Sequence, residues 1–146
     1  MSPAALVTMA PPFRLRDIDH VVLRVGDVAK MRAFYEGVLG CTLEKVQAHI
    51  GLTQLRAGRS LIDLVDIAGP IGREGGAAAG PEGRNMEHFC LIVEPFEPEA
   101  IAAHLAAHGV EPGSLANRYG AEGEGPSLYL KDPEGNGVEL KGPAPR

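Results

Sequence analysis

Four side chains of metal-ligating type stand at matched places in this chain. His20 and His88 lie in two similar β-rich runs, DIDHVVLRV and NMEHFCLIV, and Asp63 and Glu139 lie in SLIDLVDI and GVELKGP. Imidazole nitrogens with carboxylate oxygens suit a divalent ion of the Zn, Ni, Mn, Fe or Co kind and leave positions open for water or substrate. A Ca or Mg site would not need the histidines. Taken singly, each residue has a plainer reading: a strand histidine bonded to a carbonyl, or a hairpin glutamate facing solvent. Their common register carries the metal reading, because equivalent positions of a duplicated unit come together around a pseudo-two-fold axis. Asp63 is one methylene shorter than Glu139, so it is a ligand, a residue holding a bound water, or an exposed group.

The elements that must position these groups follow from periodicity. Residues 17–25 are rich in β-branched types and read as a strand. Asp27 caps a helix whose apolar positions run from Val28 to Leu39, and Gly40 ends it. Strands are expected over 41–47, 52–56 and 60–67. The segment 69–85, GPIGREGGAAAGPEGRN, has no hydrophobic period and reads as a linker or mobile loop. The order then returns: a strand over 85–94, an Ala-rich helix over 98–108, a short strand within 110–118, and a hairpin. In that hairpin Ser127 to Lys131 and Val138 to Leu140 are the arms and DPEGNG is the reversal. The period of about 70 residues is too long for a solenoid and points to two tandem βαβββ modules. The expected organisation is a tail over 1–16, loose or reaching a partner subunit, and one α+β domain over 17–142. Its first module is 17–68, its linker 69–85 and its second module 86–142.

Composition narrows the function. With 146 residues and a formal net charge of −5, no basic stripe exists to track nucleic acid phosphates. No apolar run approaches a membrane span, and residues 1–12 lack the layout of a signal peptide. Two cysteines, Cys41 and Cys90, give no disulfide framework, so a reduced cytoplasmic setting is the expectation. No phosphate-cradling glycine motif occurs. Arg24 lies four residues beyond His20 and shares its strand face, which favours an anionic substrate or a structural ion pair.

These residues resemble the glyoxalase, bleomycin-resistance and extradiol-dioxygenase superfamily, the vicinal oxygen chelate proteins. IDHVVLRVGDVAKMRAFYEGVLGC and SLYLKDPEGNGVELKGP carry the resemblance, which spans residues 17–142. It implies an open, U-shaped mixed sheet with the ion inside, held by His20, His88 and Glu139. Within the superfamily the bacterial lactoylglutathione lyases, or glyoxalase I proteins, are the nearest look-alikes. The likeness places Asp63 at their fourth ligand, Arg24 at an arginine that binds a substrate carboxylate, and Glu139 at a residue that is both ligand and base. Asp in place of Glu at position 63 is a departure from that pattern.

The implied activity is that of a metal-dependent lyase or isomerase. A Lewis acid activates a substrate that chelates through two neighbouring oxygens, while Glu139 moves a proton between adjacent carbons. Tyr129 either presents its hydroxyl to the substrate or packs as a sheet aromatic. His104 and His108, four apart on the second helix, are expected to be solvated. An Fe(II) ring-cleaving dioxygenase needs only His20, His88 and Glu139, and a non-catalytic small-ligand binder of the antibiotic-resistance type needs no metal. A homodimer is expected because the open sheets need covering.

Overall fold

The structure is a computed structural model that describes residues 10–145, so positions 1–9 of the expected tail lie outside it. Alternating apolar residues form β1 (His20–Val25), and the chain turns into α1 (Val28–Gly37) at Asp27, whose side chain accepts the Lys30 amide at 3.0 Å. Then come β2 (Thr42–Gln47), β3 (Leu52–Ala57) and β4 (Ser60–Asp66). The second module repeats the order with β5 (His88–Ile92), α2 (Pro98–Ala107), β6 (Ala116–Gly120), β7 (Gly123–Lys131) and β8 (Gly137–Lys141). The second strand of this module, β6, therefore starts late in the span 110–118 that its sequence suggests, and β7 begins at Gly123 rather than Ser127. Pairing of β6 with β7 across residues 116–127 decides both boundaries.

The modules share one topology. Strand order is β1-β4-β3-β2 in the first sheet and β5-β8-β7-β6 in the second, with the first-named pair parallel and the rest antiparallel. The architecture is thus the expected α+β pair of βαβββ units, built as two open four-stranded sheets with no ladder joining them among the described residues.

Period two sends Leu23, Val25, Ile62 and Leu64 of the first sheet, and Leu128, Leu130, Val138 and Leu140 of the second, to the helix side. There they form a single core with Met31, Tyr35 and Leu105. The β7–β8 reversal fastens the modules together. Tyr35 donates its hydroxyl hydrogen to Asp132 at 2.8 Å, and the Glu134 carboxylate accepts the Gly26 and Asp27 amides at 2.9 Å, ahead of α1, where the helix dipole favours an anion. Gly135 takes φ +87 in this turn, a conformation that residues with a Cβ avoid. Asn85 completes the clamp by donating to the Arg24 carbonyl and to Asn136 Oδ1.

The glycine-rich segment is organised by a side chain from β1. Arg24 donates to the carbonyls of Gly72, Gly76 and Ala77, at 3.0, 2.6 and 3.2 Å, around a 3₁₀ turn at Gly72–Gly75. A Cβ at residue 75 would collide with the Arg24 guanidinium, so glycine there admits the arginine. No helix among the described residues is long and apolar enough to cross a membrane.

Candidate metal and substrate site

The face of each sheet opposite the core carries the ligand-type residues, in one register. Asp63 on β4 is opposite Val22 on β1, and His20 is two residues before Val22 on the same face. Glu139 on β8 is opposite Cys90 on β5, and His88 is two residues before Cys90. In both sheets the histidine therefore sits one pleat from the carboxylate of the neighbouring parallel strand. On the other side of the carboxylate, Gln54 pairs with Asp63 and Tyr129 with Glu139.

In the second sheet His88 Nε2 is 3.2 Å from Glu139 Oε1. The His88 and Tyr129 rings meet edge to face at 5.1 Å between centroids. Arg118 stacks on Tyr129, its guanidinium carbon 4.5 Å from the ring centre, while donating to the carbonyl and hydroxyl of Ser127. Partial burial and the nearby Glu139 charge raise the Tyr129 pKa, so its hydroxyl keeps its proton. Burial, with Glu139 again adding to it, pushes the Cys90 thiol up to about 11 and leaves it a poor nucleophile at neutral pH.

In the first sheet Asp63 is only 3% exposed, and Gln54 Nε2 donates to both its oxygens at 3.3 Å. Burial raises the Asp63 pKa, against the opposing Gln54 bond and His20 charge. His20 is bonded through Nδ1 to Asp19 Oδ2 at 2.8 Å, and that bond, followed by the Asp63 charge, raises its pKa.

Two features fit a divalent ion. Donor atoms 3.2 Å apart, as in His88 and Glu139, can sit on one ion with bonds of about 2.0–2.2 Å. At His20, a carboxylate on Nδ1 sets the tautomer that leaves the Nε2 lone pair free, as metal-bound histidines commonly require. The convergence expected of all four residues does not occur within one chain. Among the described residues no three His, Cys, Asp or Glu side chains come together to hold an ion. The reason lies in the packing. The modules join through their helix-side faces, so each pair is left on its own open sheet face.

Arg24 shares the His20 face, but its guanidinium is engaged by the three linker carbonyls rather than left free for an anion. His104, expected to be solvated, bonds through Nε2 to the Val38 carbonyl at 2.7 Å and ties α2 to the end of α1. Sequence reasoning missed Asp19, Gln54 and Arg118. Asp19 adjoins His20 and Gln54 follows from strand register, whereas Arg118 lies in a stretch without any periodic signal.

The profile of the Glyoxalase/Bleomycin resistance protein/Dioxygenase superfamily matches residues 17–140. An integron cassette protein from the mobile metagenome of V. cholerae superposes with a TM-score of 0.72 at 28% identity, over 90% of this chain and 98% of that one. A lactoylglutathione lyase from Agrobacterium tumefaciens gives 0.60 at 23% identity, over 86% and 92%. An antibiotic binding protein from Streptomyces sp. CB03234 gives 0.66 at 20% identity, over 90% and 99%.

Proposed function

Because this chain belongs to the glyoxalase, bleomycin-resistance and dioxygenase superfamily, we propose that it is a metal-dependent lyase or isomerase of the glyoxalase I type, acting on a small molecule that chelates through two neighbouring oxygens. The observation that carries this reading is the histidine–carboxylate pair repeated in identical register on the two sheets. His20 with Asp63 and His88 with Glu139 would each supply half of a ligand set for Zn, Ni, Mn or Fe. Two chains in a homodimer would bring one half of each kind together. Support for that assembly is the uncovered state of both faces, where Val22 and Ile92 are exposed beside the pairs.

A divalent ion held there supplies Lewis-acid polarisation of a substrate carbonyl. Glu139 then acts as the base. Its carboxylate takes the proton from the carbon beside the carbonyl and returns it to the neighbouring carbon. Tyr129, protonated and braced between Arg118 and His88, offers its hydroxyl hydrogen to a substrate oxygen. Arg24 holds the linker rather than the substrate.

Metal analysis of the purified protein tests the reading. We expect about one Zn, Ni or Mn per chain, lost in His88→Ala while the circular dichroism spectrum is kept. A metal-loaded thermal-shift screen of thiol adducts, CoA esters and catechols then finds the substrate class. Iron as the bound metal would move the assignment to ring cleavage, and wild-type metal content in His88→Ala would end it.

A further inference from the structure

A cavity of about 900 Å³ is walled by α1, the α2–β6 connection and the end of β7. It reaches the open face of the second sheet, where His88, Tyr129 and Lys131 join its lining. Its volume matches sites that enclose a drug-sized molecule and far exceeds what a two-oxygen chelating unit fills. Ala33, Phe34, Val38, Val110 and Leu130 form its apolar lining. Its charges balance: Lys30 and Lys131 against Glu87 and Glu111.

We infer that this cleft holds the body of the substrate, an uncharged and largely apolar organic group of drug-like size. The inference rests on the proposed function for the reacting end alone. Apolar lining beside balanced charge offers little to a polar conjugate bearing several carboxylates, since desolvating those groups without matched cations is costly. It favours hydrophobic burial of a neutral skeleton at roughly 25 cal/mol for each Å² covered. The substrate class is therefore a chelating head on an apolar body rather than a thiol-peptide adduct.

The test uses the full-length, metal-free protein and the neutral fluorophore N-phenyl-1-naphthylamine. Saturable binding of one probe per chain is expected, weakened at least tenfold by Ala33→Trp, which fills the cleft. Ala100→Trp, in the smaller cavity of about 280 Å³ beside α2, should leave the affinity unchanged, and millimolar glutathione should not displace the probe. Absence of saturable binding, equal affinity in Ala33→Trp, or displacement by glutathione overturns the proposal. If Ala33→Trp does not fold, amide NMR of the unaltered chain decides. Probe-induced shifts at Ala33, Gly109, Val110 and Gly113 support the site, and shifts confined elsewhere refute it. Metal content of the protein as purified, before the metal is stripped for the probe assay, separates the two readings, since probe binding by a chain that takes up no metal sinks the lyase and keeps the cleft.

Discussion

Tyr35 and Asp132, 97 positions apart, share a buried hydrogen bond of 2.8 Å that joins the first module to the second. Asp132 also accepts the Asn136 side-chain and backbone N–H groups, so its charge is fully hydrogen-bonded only while the modules stay docked. Tyr35→Phe should lower stability by roughly 1.5–3 kcal/mol, the scale of a hydrogen bond to a charged group, as measured by urea unfolding. Burial, with the Asp132 charge beside it, drives the Tyr35 pKa far above its ordinary value near 10. The sign follows: the residue's contribution is complete below about pH 10 and declines as pH rises beyond it. Tyr35→Phe should lose that alkaline decline.

If one ion is held by the His20–Asp63 pair of one chain and the His88–Glu139 pair of another, two crippled chains can repair each other. His20→Ala and His88→Ala homodimers should each bind no metal. Unfolding and refolding them together should yield mixed dimers with one ion, half the wild-type content. No recovery on mixing would show that the halves do not meet across chains.

Asp63 presents a buried carboxylate whose one bonded side chain is Gln54, and burial raises its pKa. A raised folded-state pKa favours the protonated form, so this site's contribution is greatest at acid pH and is lost as pH rises through the folded pKa. Asp63→Asn should therefore stabilise the metal-free protein at pH 7, with a rise of roughly 2–4 °C for each kcal/mol in a chain of this size, read by scanning calorimetry. The same substitution should weaken metal binding. A gain in stability with a loss of affinity marks a site kept for function.

Arg24→Gln removes three charge-assisted bonds to the linker. Trypsin cleavage after Arg73 should then accelerate by about tenfold or more, since losing even one such bond, about 1.5 kcal/mol, raises the locally open population by that factor. Metal content should stay at the wild-type level. Unchanged proteolysis together with a loss of substrate affinity would return Arg24 to the substrate.

Much of the architecture was legible in the residues. The two-residue alternation around His20 and His88, the Asp27 cap and the DPEGNG reversal each act over a few positions, so local pattern located these elements. The late start of β6 was not legible, because Glu111 to Leu115 carry no alternation and only pairing with β7 sets the boundary. Nor was the ordering of 69–85, whose hydrogen bonds come from an arginine some fifty positions earlier.

What the amino-acid order determined alone was the duplicated module and the matched chemistry of His20, Asp63, His88 and Glu139, because strand period fixes which side chains share a face. What only the tertiary structure decided was how those faces are disposed. One apolar core, locked by Tyr35–Asp132 and Glu134, binds the modules back to back and leaves each histidine–carboxylate pair on an open sheet. That arrangement is set by contacts between distant parts of the chain, to which a local period is blind.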